Sequence, residues 1–223
     1  MKAYFLRQYL NPKLSFRVFC FIKISCIFLL NQVQQEIMTT IKFIFCLEAV
    51  PDVETNTTTE AVKNLEELAI NKGIASIYKT CDTIEGLEDS LSALLYDDHN
   101  FKDYEIIYLV MTGEGNNICL NDYYYSFEEL AEIFEGKMKG KIVHFANTKI
   151  LDLNEEEAQY FLDVTGALAV SGYGVRSKNL SSILVDKEFF KICQEKYDVI
   201  EIVEELHQKN YALCKLLDFR LYY

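Results

Sequence analysis

The chain has 223 residues, half of them apolar and a quarter charged, with only two prolines. That is enough for one domain with a sizeable core, and it excludes broad disorder. A formal net charge of −12 argues against nucleic acid as a partner, because phosphate contacts need a basic surface.

The first 37 residues are a different kind of sequence from the rest. They hold five basic residues (Lys2, Arg7, Lys13, Arg17, Lys23) and one acid, Glu36. The apolar stretch over 18–30 is interrupted by Lys23 and is shorter than the roughly 20 residues of a membrane-spanning helix. A basic start before a short apolar core fits a signal peptide or an anchor, although Leu30-Asn31-Gln32-Val33 offers no small-residue cleavage site. Translation from Met38, directly before the first strand pattern, is the third reading. A start at Met38 implies a cytoplasmic protein, whereas a genuine N-terminal segment implies a membrane-anchored or exported one. The domain itself is read over 38–223. Seven scattered cysteines (Cys20, Cys26, Cys46, Cys81, Cys119, Cys193, Cys214) form no C-x-x-C and read as small buried hydrophobes of a reducing compartment.

From Met38 onward, short apolar runs alternate with helical periodicity. A strand is expected over 41–48, then a helix from about Thr58 with Ala61, Val62, Leu65, Leu68 and Ala69 on one face and Gly73 as its stop. A strand over 74–78 precedes a helix carrying Ile84, Leu87, Leu91, Leu94 and Leu95. The unbroken apolar run over 106–111 fits a central strand covered on both faces. A small hairpin is expected over 117–125, turning at Asn121-Asp122, and then a short helix over 127–134. A strand over 141–145 leads to a helix capped by Asn154, with Glu157 completing a capping box. A fifth strand over 167–171, a mostly helical tail from about Leu180 and a final edge strand over 217–223 complete the pattern. These units imply an α/β fold, a three-layer sandwich whose mainly parallel central sheet has helices on both faces.

In such sheets, chemistry sits outside the carboxyl ends of the strands. Thr112-Gly113-Glu114-Gly115-Asn116-Asn117 follows the third strand, and its glycines allow a tight turn and close approach by a ligand. It lacks the third glycine and the following helix of a dinucleotide fingerprint, and the chain has no P-loop. Ala146-Asn147-Thr148-Lys149, with Asp152 nearby, follows the fourth strand and suits either a nucleophile turn or a plain loop. His99, His144 and His207 have no metal-ligand spacing, so neither a metal site nor a cofactor is expected.

The segments Tyr108-Leu109-Val110-Met111-Thr112-Gly113, Ser126-Phe127-Glu128-Glu129-Leu130 and 141–148 (ending Val143-His144-Phe145-Ala146-Asn147-Thr148) are similar in order and spacing to the core of caspase-like cysteine peptidases. Within that group the chain most resembles the bacterial CHAT-type branch and related uncharacterised bacterial families. Thr165-Gly166-Ala167-Leu168-Ala169-Val170-Ser171-Gly172-Tyr173 resembles the fifth strand of the same group, and the similarity spans about 41–190. The resemblance implies a caspase-like fold with a histidine after the third strand and a cysteine after the fourth. Thr112 and Thr148 stand at those positions, so the implied thiolate and imidazole are both missing.

Three functions follow as expectations. The first is a non-catalytic caspase-like domain that binds a protein or peptide, with Gly113, Gly115, Tyr123, Tyr124, Tyr125 and Tyr173 lining the cleft; tyrosine is enriched at such contacts. The second is a hydrolase of altered mechanism, with Thr148 as nucleophile or Glu114 as acid/base, and with Asn147 as a further candidate. His144 is four residues from Thr148, roughly 13 Å along a strand, and reads as a core or supporting histidine. The third is a receiver-like signalling domain, with Glu48, Asp52 and Glu54 as an acidic pocket.

Overall fold

In the computed structural model, residues 43–54, 58–114, 116–121, 123–146, 153–174 and 181–223 are described, and all of them fall within one compact unit, 42–223. The basic, apolar N-terminal segment lies outside the described residues. The run Phe43-Ile44-Phe45-Cys46-Leu47 shows no alternation, the mark of a strand covered on both sides. It forms β1 (Phe43–Ala49), with Ile44 to Leu47 fully buried. Thr59 caps α1 (Glu60–Lys72) by accepting the Val62 N–H, and Gly73 ends it at φ +69, a conformation that costs glycine little. The Ile74 N–H then donates back to the Leu68 carbonyl. That closure holds Ile74 in the helix terminus, so β2 (Ser76–Cys81) begins two residues later than the apolar pattern implies.

Thr83 caps α2 (Ile84–Ser92), and one π turn over Ala93–Asp97 extends it and buries Leu94 and Leu95. After β3 (Tyr104–Val110), the sequence reads as a glycine-rich loop, but Thr112–Glu114 is instead strand β4. It pairs antiparallel with β5 (Asn117–Leu120), which pairs with β6 (Tyr123–Ser126). The backbone groups of 112–114 meet partners in β5, which is why this segment is extended. Asn121 turns the β5–β6 hairpin at φ +46, a left-handed value that asparagine tolerates.

Capping boxes start α3 (Phe127–Ile133) at Ser126 and α4 (Glu155–Thr165) at Asn154. Between them runs β7 (Ile142–Ala146). Ala167 only bridges back to Lys139, so β8 pairs as Ala169–Tyr173, two residues beyond the expected start. The tail forms α5 (Ile183–Glu195), α6 (Val199–Leu217) and the edge strand β9 (Phe219–Tyr222).

The main sheet has the order β2-β1-β3-β7-β8-β9; all neighbours are parallel except β9, which runs antiparallel to β8. Phe45, Leu47, Ile107, Leu109, Val143 and Phe145 face α2, α3 and α4. Ile44, Cys46, Ile106, Tyr108 and Ile142 face α1, α5 and α6. The result is a three-layer α/β sandwich. The order reverses between β1 and β3, where α/β sheets open a crevice at their carboxyl edge. Among the described residues, Cys46, Cys81, Cys193 and Cys214 are buried free thiols and Cys119 is partly exposed. No helix among those residues is long and apolar enough to cross a membrane.

Phe161 of α4 stacks on Phe127 of α3 with ring centroids 4.4 Å apart, in a fully buried position. Phe161→Ala is expected to cost about 3–5 kcal/mol and to lower the melting temperature by roughly 10 °C. The neighbouring Tyr160→Ala, on the exposed side of the helix, should stay within about 0.5 kcal/mol of wild type. Thermal unfolding followed by circular dichroism reads both.

Candidate functional site

The carboxyl edge of the sheet brings together some of the residues singled out by sequence. β3 and β7 are adjacent, parallel and in register, with Val110 opposite Ala146, so the two motif strands end side by side. Thr112 follows at once in β4, with its hydroxyl donating to the Cys119 carbonyl at 2.8 Å. Gly113 lies beside it, and the Glu114 backbone continues β4. Gly115, Asn147 and Thr148 lie outside the described residues. Tyr123 and Tyr124 are 70% and 64% exposed, whereas Tyr125 turns partly inward onto the core. Burial, reinforced by Glu88, pushes the Tyr125 phenol up to about 12.

Tyr173 does not line a cleft. It is 1% exposed, because β8 extends two residues further than expected and the parity of the strand turns this side chain toward α5. Two of the three acids after the first strand take part in local hydrogen bonds. Glu48 accepts hydrogen bonds from the Thr59 hydroxyl at 2.6 Å and the Tyr78 hydroxyl at 2.8 Å, which tie β1 to the start of α1 and to β2. Asp52 accepts the Glu54 N–H at 2.8 Å and so shapes its own loop.

A second, denser constellation lies beneath this edge. Sheet register sets Tyr108, His144 and Ser171 opposite one another on β3, β7 and β8, and side-chain alternation points all three at α5. There they meet Asp186. His144 Nδ1 is 2.8 Å from Ser171 Oγ, and its Nε2 is 2.9 Å from Asp186 Oδ1. The Tyr173 hydroxyl donates to the same oxygen. Asp186 Oδ2 accepts from Tyr108 at 2.7 Å and from Ser182 at 3.2 Å. Four donors fill the acceptor sites of one carboxylate. With Asp186 accepting only, the network assigns the proton of His144 to Nε2, leaving Nδ1 to accept from the Ser171 hydroxyl. Burial first, and the Asp186 charge second, hold both tyrosines well above their usual range, so they remain donors.

Serine, histidine and aspartate thus stand in the hydrogen-bond order of a hydrolytic triad. His144, Ser171 and Asp186 are nonetheless all fully buried, under Phe189, Phe190 and Phe219, whose rings crowd the imidazole. A nucleophile must reach a carbonyl carbon, and this hydroxyl meets only the core. His144 is a core histidine, one of the two roles its separation from Thr148 along the strand implied. Ser171 and Asp186 escaped notice in the sequence, although Asp186 left a signal. It is an acid on the face of a helix that otherwise buries Val185, Phe189, Phe190 and Cys193.

Asp186→Asn replaces an acceptor with a donor among donors. It is expected to destabilise the fold by about 3–5 kcal/mol, read as a lower urea midpoint at unchanged slope. Tyr108 and Tyr173 keep their protons in the folded chain beyond pH 10, where unfolded tyrosine loses them. The native state then binds more protons than the unfolded one, so stability falls as pH rises above about 10. Tyr108→Phe and Tyr173→Phe should each make that decline shallower, by about 1.4 kcal/mol per pH unit, in urea titrations from pH 9 to 11.5.

No curated protein matches the chain. Residues 41–223, the stretch that contains the sandwich, match a family model, and the chain belongs to that family, described as a family of unknown function (DUF6642).

Proposed function

We propose that this chain is a caspase-like domain that keeps the fold without the peptidase chemistry, and that it works by binding a protein or peptide at the carboxyl edge of its sheet. The observation that carries this reading is the treatment of reactive groups near that edge. The Thr112 hydroxyl is tied to a backbone carbonyl of the neighbouring strand, and the Ser171–His144–Asp186 array is sealed in the core. The partner of the Thr112 hydroxyl is a carbonyl, which cannot serve as a general base. The adjacency of β3 and β7 supports the resemblance, since that family draws its two catalytic residues from the ends of those strands.

The exposed Tyr123 and Tyr124 offer aromatic anchors of the kind that dominate protein interfaces. An acidic surface favours a partner with complementary basic residues. The order of the parallel strands is also that of flavodoxin-like and receiver domains, which favours a signalling domain as the second reading. In that reading the phosphoacceptor carboxylate belongs at the end of β3, where this chain has Met111 and Thr112.

The test adds the full chain to a denatured proteome and reads new N-termini by mass spectrometry, beside Thr148→Ala and Thr112→His/Thr148→Cys. Wild type and Thr148→Ala are expected to give the same background, and cuts made only by the double variant would reveal a cleft that still holds substrate. Cleavage by wild type that disappears in Thr148→Ala would overturn the reading and make Thr148 a nucleophile. A photocrosslinking residue at Tyr124 should capture a discrete partner, and one at the buried Phe145 should capture none.

A further inference from the structure

β2 ends one side of the main sheet, and its outer edge is open. The Ile44 N–H donates to the Ala75 carbonyl and the Val50 N–H to the Cys81 carbonyl. The odd-numbered residues of β2 therefore turn their backbone groups toward β1. In a parallel pair that alternation leaves the N–H and C=O of Ser76, Tyr78 and Thr80 facing away from β1, and no hydrogen bond among the described residues takes them. Natural proteins shorten, bulge or cover such edges, or interrupt them with proline. β2 runs for six residues, Ser-Ile-Tyr-Lys-Thr-Cys, without proline and in unbroken register with β1. Ile77 stands on it 43% exposed, and Lys79 is its one charged residue.

We propose that this edge pairs antiparallel with the β2 edge of a second copy of the chain, about a two-fold axis at Tyr78, joining two six-stranded sheets into one. A single register satisfies every outward group. Tyr78 faces Tyr78 of the second copy, and Ser76 faces Thr80 in both directions; a slip of two residues leaves one of the three unmatched. The side chains agree with that register. It sets an aromatic pair and two hydroxyl pairs opposite each other, combinations favoured between strands, and the Tyr78 ring is already held by its hydroxyl's bond to Glu48 at 2.8 Å. Ile77 meets Lys79 of the second copy, so the two lysines never face each other. Ile77 and Asp103 border one apolar hollow of about 230 Å³, and the opposing lysine lays its stem over it with the ammonium toward Asp103. This unlike pair, made twice by symmetry, offsets the repulsion between two acidic chains at the point of contact. A strand of unrelated sequence would meet the backbone equally well but would not set these side chains in matched pairs. The contact requires no peptidase ancestry, so it stands or falls apart from the caspase-like reading.

The experiment follows the mass of the full chain by sedimentation velocity over a concentration series. Wild type should pass from monomer to dimer as the concentration rises. Thr80→Pro deletes an outward N–H that an edge strand can spare, once in each copy, and should weaken the dimer about tenfold or more. Ile77→Glu sets a carboxylate opposite Lys79 of the second copy, twice by symmetry, and should tighten the dimer roughly threefold. Ile77→Glu/Lys79→Glu sets like charges opposite each other and should abolish it. Both positions are exposed, so circular dichroism should show an unchanged fold, and these two variants decide the matter if Thr80→Pro does not fold. A wild type that stays monomeric at every concentration overturns the proposal, as does a dimer that survives a folded Thr80→Pro or the double variant. A dimer that Ile77→Glu weakens overturns the register and the proposal with it. Assembly beyond the dimer would do the same, because a two-fold contact closes on itself.

Discussion

A carboxylate taken from water into the middle of a protein loses hydration worth several kcal/mol even after the surroundings relax. Asp186 has made that transfer and is held by His144, Tyr108, Tyr173 and Ser182. Three of those donors come from three neighbouring strands, so the acid links α5 to β3, β7 and β8 at once. Its position sets the height of the helix over the sheet and the rotamer of the imidazole. Phe189, Phe190 and Phe219 close over the same point and keep water from competing. The packing of β9 and the carboxyl-terminal helices is built around this one buried charge.

The same cluster shows why hydrogen-bond order is not evidence of catalysis. Serine, histidine and aspartate occur in sequence within it, at distances a hydrolase would use. What is absent is space for a substrate beside the hydroxyl, the condition that a reading of any active site must meet. In this chain the three residues serve one another: the aspartate orients the ring, the ring accepts from the serine, and the tyrosines complete the shell. At the carboxyl edge, the backbone enters a small antiparallel sheet, and the Thr112 hydroxyl serves that sheet.

The sequence by itself determined the local structure wherever one short stretch carries the whole signal. Unbroken apolar runs marked the strands covered on both faces, and Asn154 and Gly73 marked helix ends. Such signals survive because backbone capping and strand burial depend on residues within a few positions of one another. The extended course of Thr112-Gly113-Glu114 could not be read locally, because it exists only by pairing with β5. The buried network was still less legible: Tyr108, His144, Ser171 and Asp186 are scattered over 79 positions of the chain and become neighbours only through strand register and the docking of α5. Tyr173 looked like a cleft residue until the parity of β8 turned it inward. Only the tertiary structure decides which polar side chains find partners, because a hydrogen bond depends on atoms brought within about 3 Å, and separation along the chain does not determine that distance.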